Sequence, residues 1–385
     1  MNPRSLLRTT YLAGFLFSFH TALTVYINSS FLATKIPESI IGSLYTASAI
    51  VSIIGLFLVP KLIARFGSRL ILGILLVFNC ANIVGLIFAT NILLIILCFI
   101  FFFGFNTVLY LGFDILIEHW STREHQGTIR GTYLTSLNIG FMLAPLLTGY
   151  IADRLGFGVL YAIALTILFP IIGIVCIQLP KVQQAHTSKL RAISLAHKFI
   201  RDRHLRAVFA INGTLQFFYV WMTIYTPIYL HEHVGISWDK LGLMFTIMLS
   251  AFVLFQYITG KIADRFHSEK IMMFFGLMIM GGATLFIAQA PSMSFWTLAG
   301  ILFITRVGAS IVEVMTESYF FKHVHPDDVG SIGFFRNTYP FASIIASLLG
   351  AVLLQWIPLW LLFIFLGTLC CVSTLWIITL NKKAA

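Results

Sequence analysis

Long unbroken stretches of apolar residues, each closed by a short polar segment, dominate this chain. Twelve such runs can be drawn, near 10–31, 40–63, 70–89, 92–118, 129–151, 158–179, 207–230, 238–262, 271–290, 293–321, 330–354 and 357–380. Each is close to the roughly 20 residues that carry a helix across a hydrocarbon core about 30 Å thick. None alternates with the period of two that marks a barrel strand. Lipid offers no partners to backbone polar groups, so helices are the expected form. The pattern predicts an all-α membrane protein of twelve transmembrane helices. Thr90 and Asn91 alone separate the third and fourth runs, which makes those helices antiparallel neighbours. The first run is followed by no small-residue cleavage site and reads as a retained helix rather than a signal peptide.

One long polar stretch interrupts the pattern. Residues 180–206 carry Lys181, Lys189, Arg191, Lys198, Arg201, Arg203 and Arg206 against a single acid, Asp202. This predicts a six-helix bundle over 1–180, a cytoplasmic linker over 181–206 and a second bundle over 207–385. Between about Leu190 and Ile200 the linker's apolar residues recur at helical spacing, as in a helix lying on a membrane surface.

The two halves repeat. Residues 60–69 (Pro60, Lys61, Leu62, Ile63, Ala64, Arg65, Phe66, Gly67, Ser68, Arg69) have an imperfect copy 200 residues later, in Gly260, Lys261, Ile262, Ala263, Asp264, Arg265, Phe266, His267, Ser268, Glu269 and Lys270. At an offset of 199, Asp114 and Glu118 map onto Glu313 and Glu317, Gly131 onto Gly330 and Asn138 onto Asn337. Pseudo-symmetric bundles with charges recurring at equivalent depths are how many secondary transporters are built.

Composition agrees with lipid as the solvent. Hydrophobic residues make up 59% of the chain and charged residues 10%, where a soluble domain carries about 25% charged. The formal net charge of +11 invites a nucleic-acid partner, but its placement argues otherwise. With the N-terminus in the cytoplasm, outside loops hold only Lys35, Arg154 and Lys240, while Arg306 and Arg336 lie within runs. The other Lys and Arg residues fall inside, the positive-inside bias that puts both termini in the cytoplasm. Attraction to anionic membrane lipid is a secondary effect. Cys80, Cys98, Cys176, Cys370 and Cys371 all fall within runs, with no metal-site spacing, and read as buried filler without disulfides.

At residues 60–69 and 260–270 the chain resembles the major facilitator superfamily, whose loop motif after the second helix approximates G-x-x-x-D-R-x-G-R-(K/R). The second copy keeps Gly260, Asp264, Arg265 and Lys270; the first keeps Arg65, Gly67 and Arg69 but has Pro60 and Ala64. In the fifth run, Gly140, Ala144, Pro145 and Gly149 resemble that family's G-x-x-x-G-P-x-x-x-G helix-bend motif, common in proton-driven exporters; ordinary small-residue packing is the competing reading. The resemblance spans essentially the whole chain. The expected cytoplasmic gate comprises Arg65, Gly67, Arg69, Glu118, Arg130, Gly260, Asp264, Arg265, Glu317 and Arg336. On the motif's own physics Asp264 either accepts backbone N–H bonds at a neighbouring helix start or pairs with an arginine of the opposite half, for which pseudo-symmetry nominates Arg130 as a latch. Ala64 cannot accept such a pair, so Arg336 needs another anion, for which Glu313 is the nearest candidate.

Ionisable groups inside a membrane are costly and default to a functional reading. Arg306, Glu313 and Glu317 are spaced by seven and four residues, so at 100° per residue they fall in one stripe of the tenth run. Thr107, Asp114 and Glu118 form the matching stripe on the fourth. Desolvation and a neighbouring cation pull a carboxylate's proton affinity in opposite directions, so a moving arginine switches proton binding. Glu313, Asp114 and Arg306 are therefore the expected proton-coupling residues, with Glu313 first. Glu118 and Glu317, nearer the helix ends, read first as structural partners of Arg65, Arg130 or Arg265. His20, Tyr110, Gln216, Tyr219, Trp221, Tyr225, Arg306 and Asn337 are the expected substrate-binding set. His20 also fits a satisfied packing histidine; Tyr110 and Asn337, with Asn106 and Gln256, are the weaker candidates, and Asn212 flanks Tyr219 on the seventh run.

Other chemistry is sparse. His231, Glu232 and His233 lack the spacing of a zinc helix, and neither a P-loop nor a G-x-S-x-G elbow occurs. Neither enzyme activity nor any cofactor or metal is expected, and nucleic acid is excluded as a partner. The sequence is read as a monomeric secondary transporter of the cytoplasmic membrane that works by alternating access on a small-molecule solute and protons. Efflux of amphipathic or drug-like compounds leads, with proton-coupled uptake of a sugar or other nutrient next. A non-transporting receptor or scaffold is the third reading.

Overall fold

The structure is a computed structural model that describes residues 3–120, 126–182, 192–266, 269–324 and 329–381. Glu118, Arg130, Gly260, Asp264, Arg265 and Arg336 sit on helices there, but their surroundings lie outside the described residues. Every described element is helical or a turn. The helices are α1 (Pro3–Val25), α2 (Asn28–Ala33), α3 (Glu38–Phe66), α4 (Ser68–Phe88), α5 (Ile92–Trp120), α6 (Gln126–Gly173), α7 (Ala192–Arg201) and α8 (Arg203–Ile228). They continue with α9 (Trp238–Phe266), α10 (Glu269–Ile287), α11 (Phe295–His323), α12 (Val329–Arg336), α13 (Thr338–Leu353), α14 (Leu359–Val372) and α15 (Leu375–Asn381).

Among the described residues ten stretches are long and apolar enough to cross a membrane, and this is a multi-pass membrane protein. Large apolar side chains face outward along them, such as Phe57, Phe88, Ile177 and Phe275. In water such a surface would be a liability; in lipid it is the expected exterior. One stretch, Thr132–Gln178, has 47 residues. As a straight helix it would be about 70 Å long, more than twice the hydrocarbon thickness. Gly156 breaks it, with φ 81° and ψ 172°. Positive φ suits glycine, which has no Cβ to clash.

A second departure from the sequence pattern lies in the run near 330–354. Asn337 (φ −74°, ψ 4°) separates α12 from α13. Pro340 follows in the first turn of α13, where a missing N–H costs nothing because such groups lack helical partners anyway. Placed further inside, it would have removed a ladder bond. The helix therefore restarts just ahead of it.

Contacts divide the chain into two compact units. Unit 1 holds Met1–Thr187 and Ser237–Leu243; unit 2 holds Ser188–Ile236 and Met244–Ala385. In unit 1, α1 lies along α6. Thr148 Oγ1 donates to Leu23 O at 2.9 Å, and Ser18 Oγ donates to Leu137 O at 2.5 Å. A Cβ on Gly140 would come within 3.0 Å of the Phe19 amide, so the two backbones touch because this residue is glycine. In unit 2 the same device joins α10 to α14, where a Cβ on Gly281 would sit 2.7 Å from Gly367 O and one on Gly367 2.7 Å from Gly281 O. Between helices in lipid there is little hydrophobic drive, so close van der Waals contact of this kind carries the packing.

The linker helix α7 belongs to unit 2. Its Phe199 packs against Phe209 (5.5 Å between centroids) and Phe334 (4.7 Å), and Lys198 Nζ donates to Ser331 Oγ at 2.9 Å. The basic face thus stays on one side while the apolar residues Leu195 and Phe199 are buried.

Candidate functional site

The repeated loop motif does the same structural job in both units. Gly67 ends α3 at φ 92°, and its N–H donates to Ile63 O at 2.7 Å. The chain then turns straight into α4. Arg69, in the first turn of α4, donates from Nε (3.1 Å) and Nη2 (2.6 Å) to Leu179 O, just past the helix end at Gln178. Ser68 completes the tie, its N–H donating to Val182 O at 2.8 Å and its Oγ accepting from Val182 N at 3.1 Å. In unit 2, Lys270 Nζ donates to Leu380 O at 2.8 Å. Both pairs are separated by 110 residues. A cation from the start of one helix caps the orphan carbonyls at the end of another. Arg65 is exposed, with its guanidinium 5.2 Å from the Phe66 ring.

In unit 1, His20 is fully buried. Its Nδ1 lies 2.8 Å from Ala164 O, a bond that needs the proton on Nδ1, and Nε2 has no partner among the described residues. Phe17 and Phe102 pack on the ring. Tyr110 is bonded to Thr21, with 2.5 Å between their hydroxyl oxygens. Asp114 is half-buried one turn along α5. Ala144 and Pro145 are buried in α6, and Gly149 lies against the backbone of Trp238 and Gly242 within this unit.

Unit 2 gathers the larger polar cluster. The stripe on α11 is graded in depth: Arg306 is 2% exposed, Glu313 half-buried and Glu317 exposed. The Arg306 guanidinium carbon lies 5.0 Å from the Phe218 ring centroid and 5.4 Å from that of Tyr219, both on α8. Such cation–π contacts stabilise a desolvated cation by up to about 2 kcal/mol. Glu313 Oε2 accepts from Tyr219 Oη at 3.2 Å and from Gln256 Nε2 at 3.2 Å. Three helices, α8, α9 and α11, thus converge on one carboxylate. Tyr219 belongs to both contacts, with its ring toward Arg306 and its hydroxyl toward Glu313. Gln216, one turn earlier on α8, donates to Asn212 Oδ1 at 3.4 Å.

Two expected solute ligands lie elsewhere. Trp221 Nε1 donates to Ala346 O at 2.7 Å, and the Tyr225 hydroxyl packs where a Cβ on Gly350 would come within 2.2 Å. Both are fully buried and pin α8 to α13. Asn337 marks the α12–α13 break and caps nothing with its side chain. Phe218 is absent from the sequence reading, since a phenylalanine in an apolar run carries no mark of what it faces.

The family model described as Major Facilitator Superfamily matches residues 10–339 and 210–385. The chain belongs to the major facilitator superfamily. It is 23% identical over 171 residues to the Cis,cis-muconate transport protein of Acinetobacter baylyi. The match covers 41% of this chain, and the chain spans 41% of that relative's length. Among solved structures, the nucleoside transporter NupG aligns with a TM-score of 0.79 at 13% identity, covering 98% of this chain and 100% of that one. The POT family transporter PepTSo aligns with a TM-score of 0.76 at 11% identity, covering 98% and 97%. These likenesses show the fold. As a member of that superfamily, the protein is of the secondary-transporter type.

Proposed function

We propose that this transporter couples solute movement to protons, with Glu313 as the proton site, and that it works by alternating access on twelve transmembrane helices. The observation that carries the reading is the bonding of Glu313. Two donors from two other helices reach one carboxylate oxygen, Oε2, and neither engages Oε1, which is left to take a proton. A carboxylate whose donors sit on separate helices is tied to their relative positions, which is what coupling requires. The count of twelve treats the helix broken at Gly156 as two spans and α13 as one.

Uptake is the favoured direction. The relatives carry names for a muconate and a nucleoside transporter, both nutrient-type solutes. The resemblance of Gly140, Ala144, Pro145 and Gly149 to an exporter motif supports the opposite direction. The remaining parts of the proposal are a monomer in the cytoplasmic membrane and both termini inside.

One assay separates these readings. Proteoliposomes loaded with a pH-sensitive dye receive muconate or a nucleoside from outside. Symport acidifies the lumen as solute enters. Antiport makes it alkaline. No proton movement with either solute, alongside measurable solute flux, removes the coupling; no flux at all supports a scaffold.

A further inference from the structure

An arginine that is 2% exposed and holds no anion needs an explanation. The guanidinium stays charged at any physiological pH, and buried charges in proteins are otherwise paired. Arg306 Nε and Nη1 are both buried without a hydrogen-bond partner, and Arg306 forms no ion pair with any described residue. Phe218 and Tyr219 flank the faces of the group, at 5.0 and 5.4 Å, and do nothing for Nε and Nη1. Nε and Nη1 belong to the two different edges by which a guanidinium grips a carboxylate through paired bonds. The nearest acid on the same stripe is seven residues away, about 10 Å along the helix, and is already held by Tyr219 and Gln256.

We infer that Arg306 is the anchor for a carboxylate group of the solute, with the Phe218 and Tyr219 rings as apolar walls beside it. The transported compound is then a small organic anion. This deepens the proposed function and rests on its assignment of Glu313 as the proton site, to which the same Tyr219 side chain is bonded. Tyr219 supplies the link, since the ring that flanks the anion carries the hydroxyl that donates to Glu313. An occupant that shifts this ring shifts the bond to the proton site.

The test is calorimetric titration of the full chain in nanodiscs with benzoate and succinate, each against its neutral amide, benzamide and succinamide. At least one acid should bind ten times or more tighter than its amide. Arg306→Gln should abolish that preference, and Arg306→Lys, which keeps the charge without the fork, should retain part of it. In the absence of ligand, Arg306→Gln should melt no lower than the parent, because it removes an unpaired buried cation. If Arg306→Gln does not fold, the acid–amide comparison on the parent and on Arg306→Lys decides. Equal binding of acid and amide, no binding of either acid, or a preference that survives Arg306→Gln would each overturn the inference. Proton flux driven by a neutral nucleoside would leave the transport reading standing while this one falls.

Discussion

Replacing Glu313 by glutamine changes one charge and almost no shape. The amide oxygen can accept the same bonds from Tyr219 and Gln256 that Oε2 accepts at 3.2 Å, so the helix contacts survive. What is lost is the ability to take up and release a proton. One unit of pH across the membrane stores about 1.4 kcal/mol per proton, equivalent to a tenfold concentration ratio. With one carboxylate at the site and no membrane potential, the parent should accumulate solute about tenfold in proteoliposomes under that gradient. Glu313→Gln should equilibrate the solute, at a ratio near one, while still exchanging labelled for unlabelled solute. Loss of a hydrogen bond alone is worth about 0.5–1.5 kcal/mol of stability and would not alter the final ratio. Tenfold accumulation by the glutamine variant would refute the reasoning, whatever its rate.

Other consequences follow from the packing. Arg69→Ala removes two charge-assisted bonds to Leu179 O and should lower stability by about 1.5–3 kcal/mol; Lys270→Ala, with one bond to Leu380 O, should cost less. Thermal unfolding in detergent reads both, and Arg69→Lys should fall to the level of the unit 2 contact. Gly281→Leu drives a side chain into Gly367 O, 2.7 Å from where its first carbon must sit, so α10 and α14 separate. A destabilisation of at least 1–3 kcal/mol is expected from such overpacking, seen as a broadened size-exclusion peak and a lower melting temperature.

Much of the fold was legible because the solvent imposes it. Apolar length alone marks the runs near 40–63 and 92–118, which become α3 (Glu38–Phe66) and α5 (Ile92–Trp120). The restart at Asn337 was not, since the run near 330–354 is long enough to span as one helix and its break depends on where Pro340 falls in the turn. The stripe of Arg306, Glu313 and Glu317 was legible from spacing, as charges in lipid stand out. Their partners were not. Trp221 and Tyr225 look identical in sequence to cavity residues, and only packing against Ala346 and Gly350 reveals them as fasteners. Gln256 looked like a minor interhelical amide, because its bond to Glu313 joins helices that the sequence places 57 residues apart.

The single residue Gly156 joins two spans without a loop between them. That elbow has no slack: neither arm can slide along the other, and a displacement of one drags its neighbour by the same amount. An epitope tag inserted there would give the joint slack and loosen that coupling, although the space beside Gly156 is open, so this end of the first bundle is the wrong place to splice one.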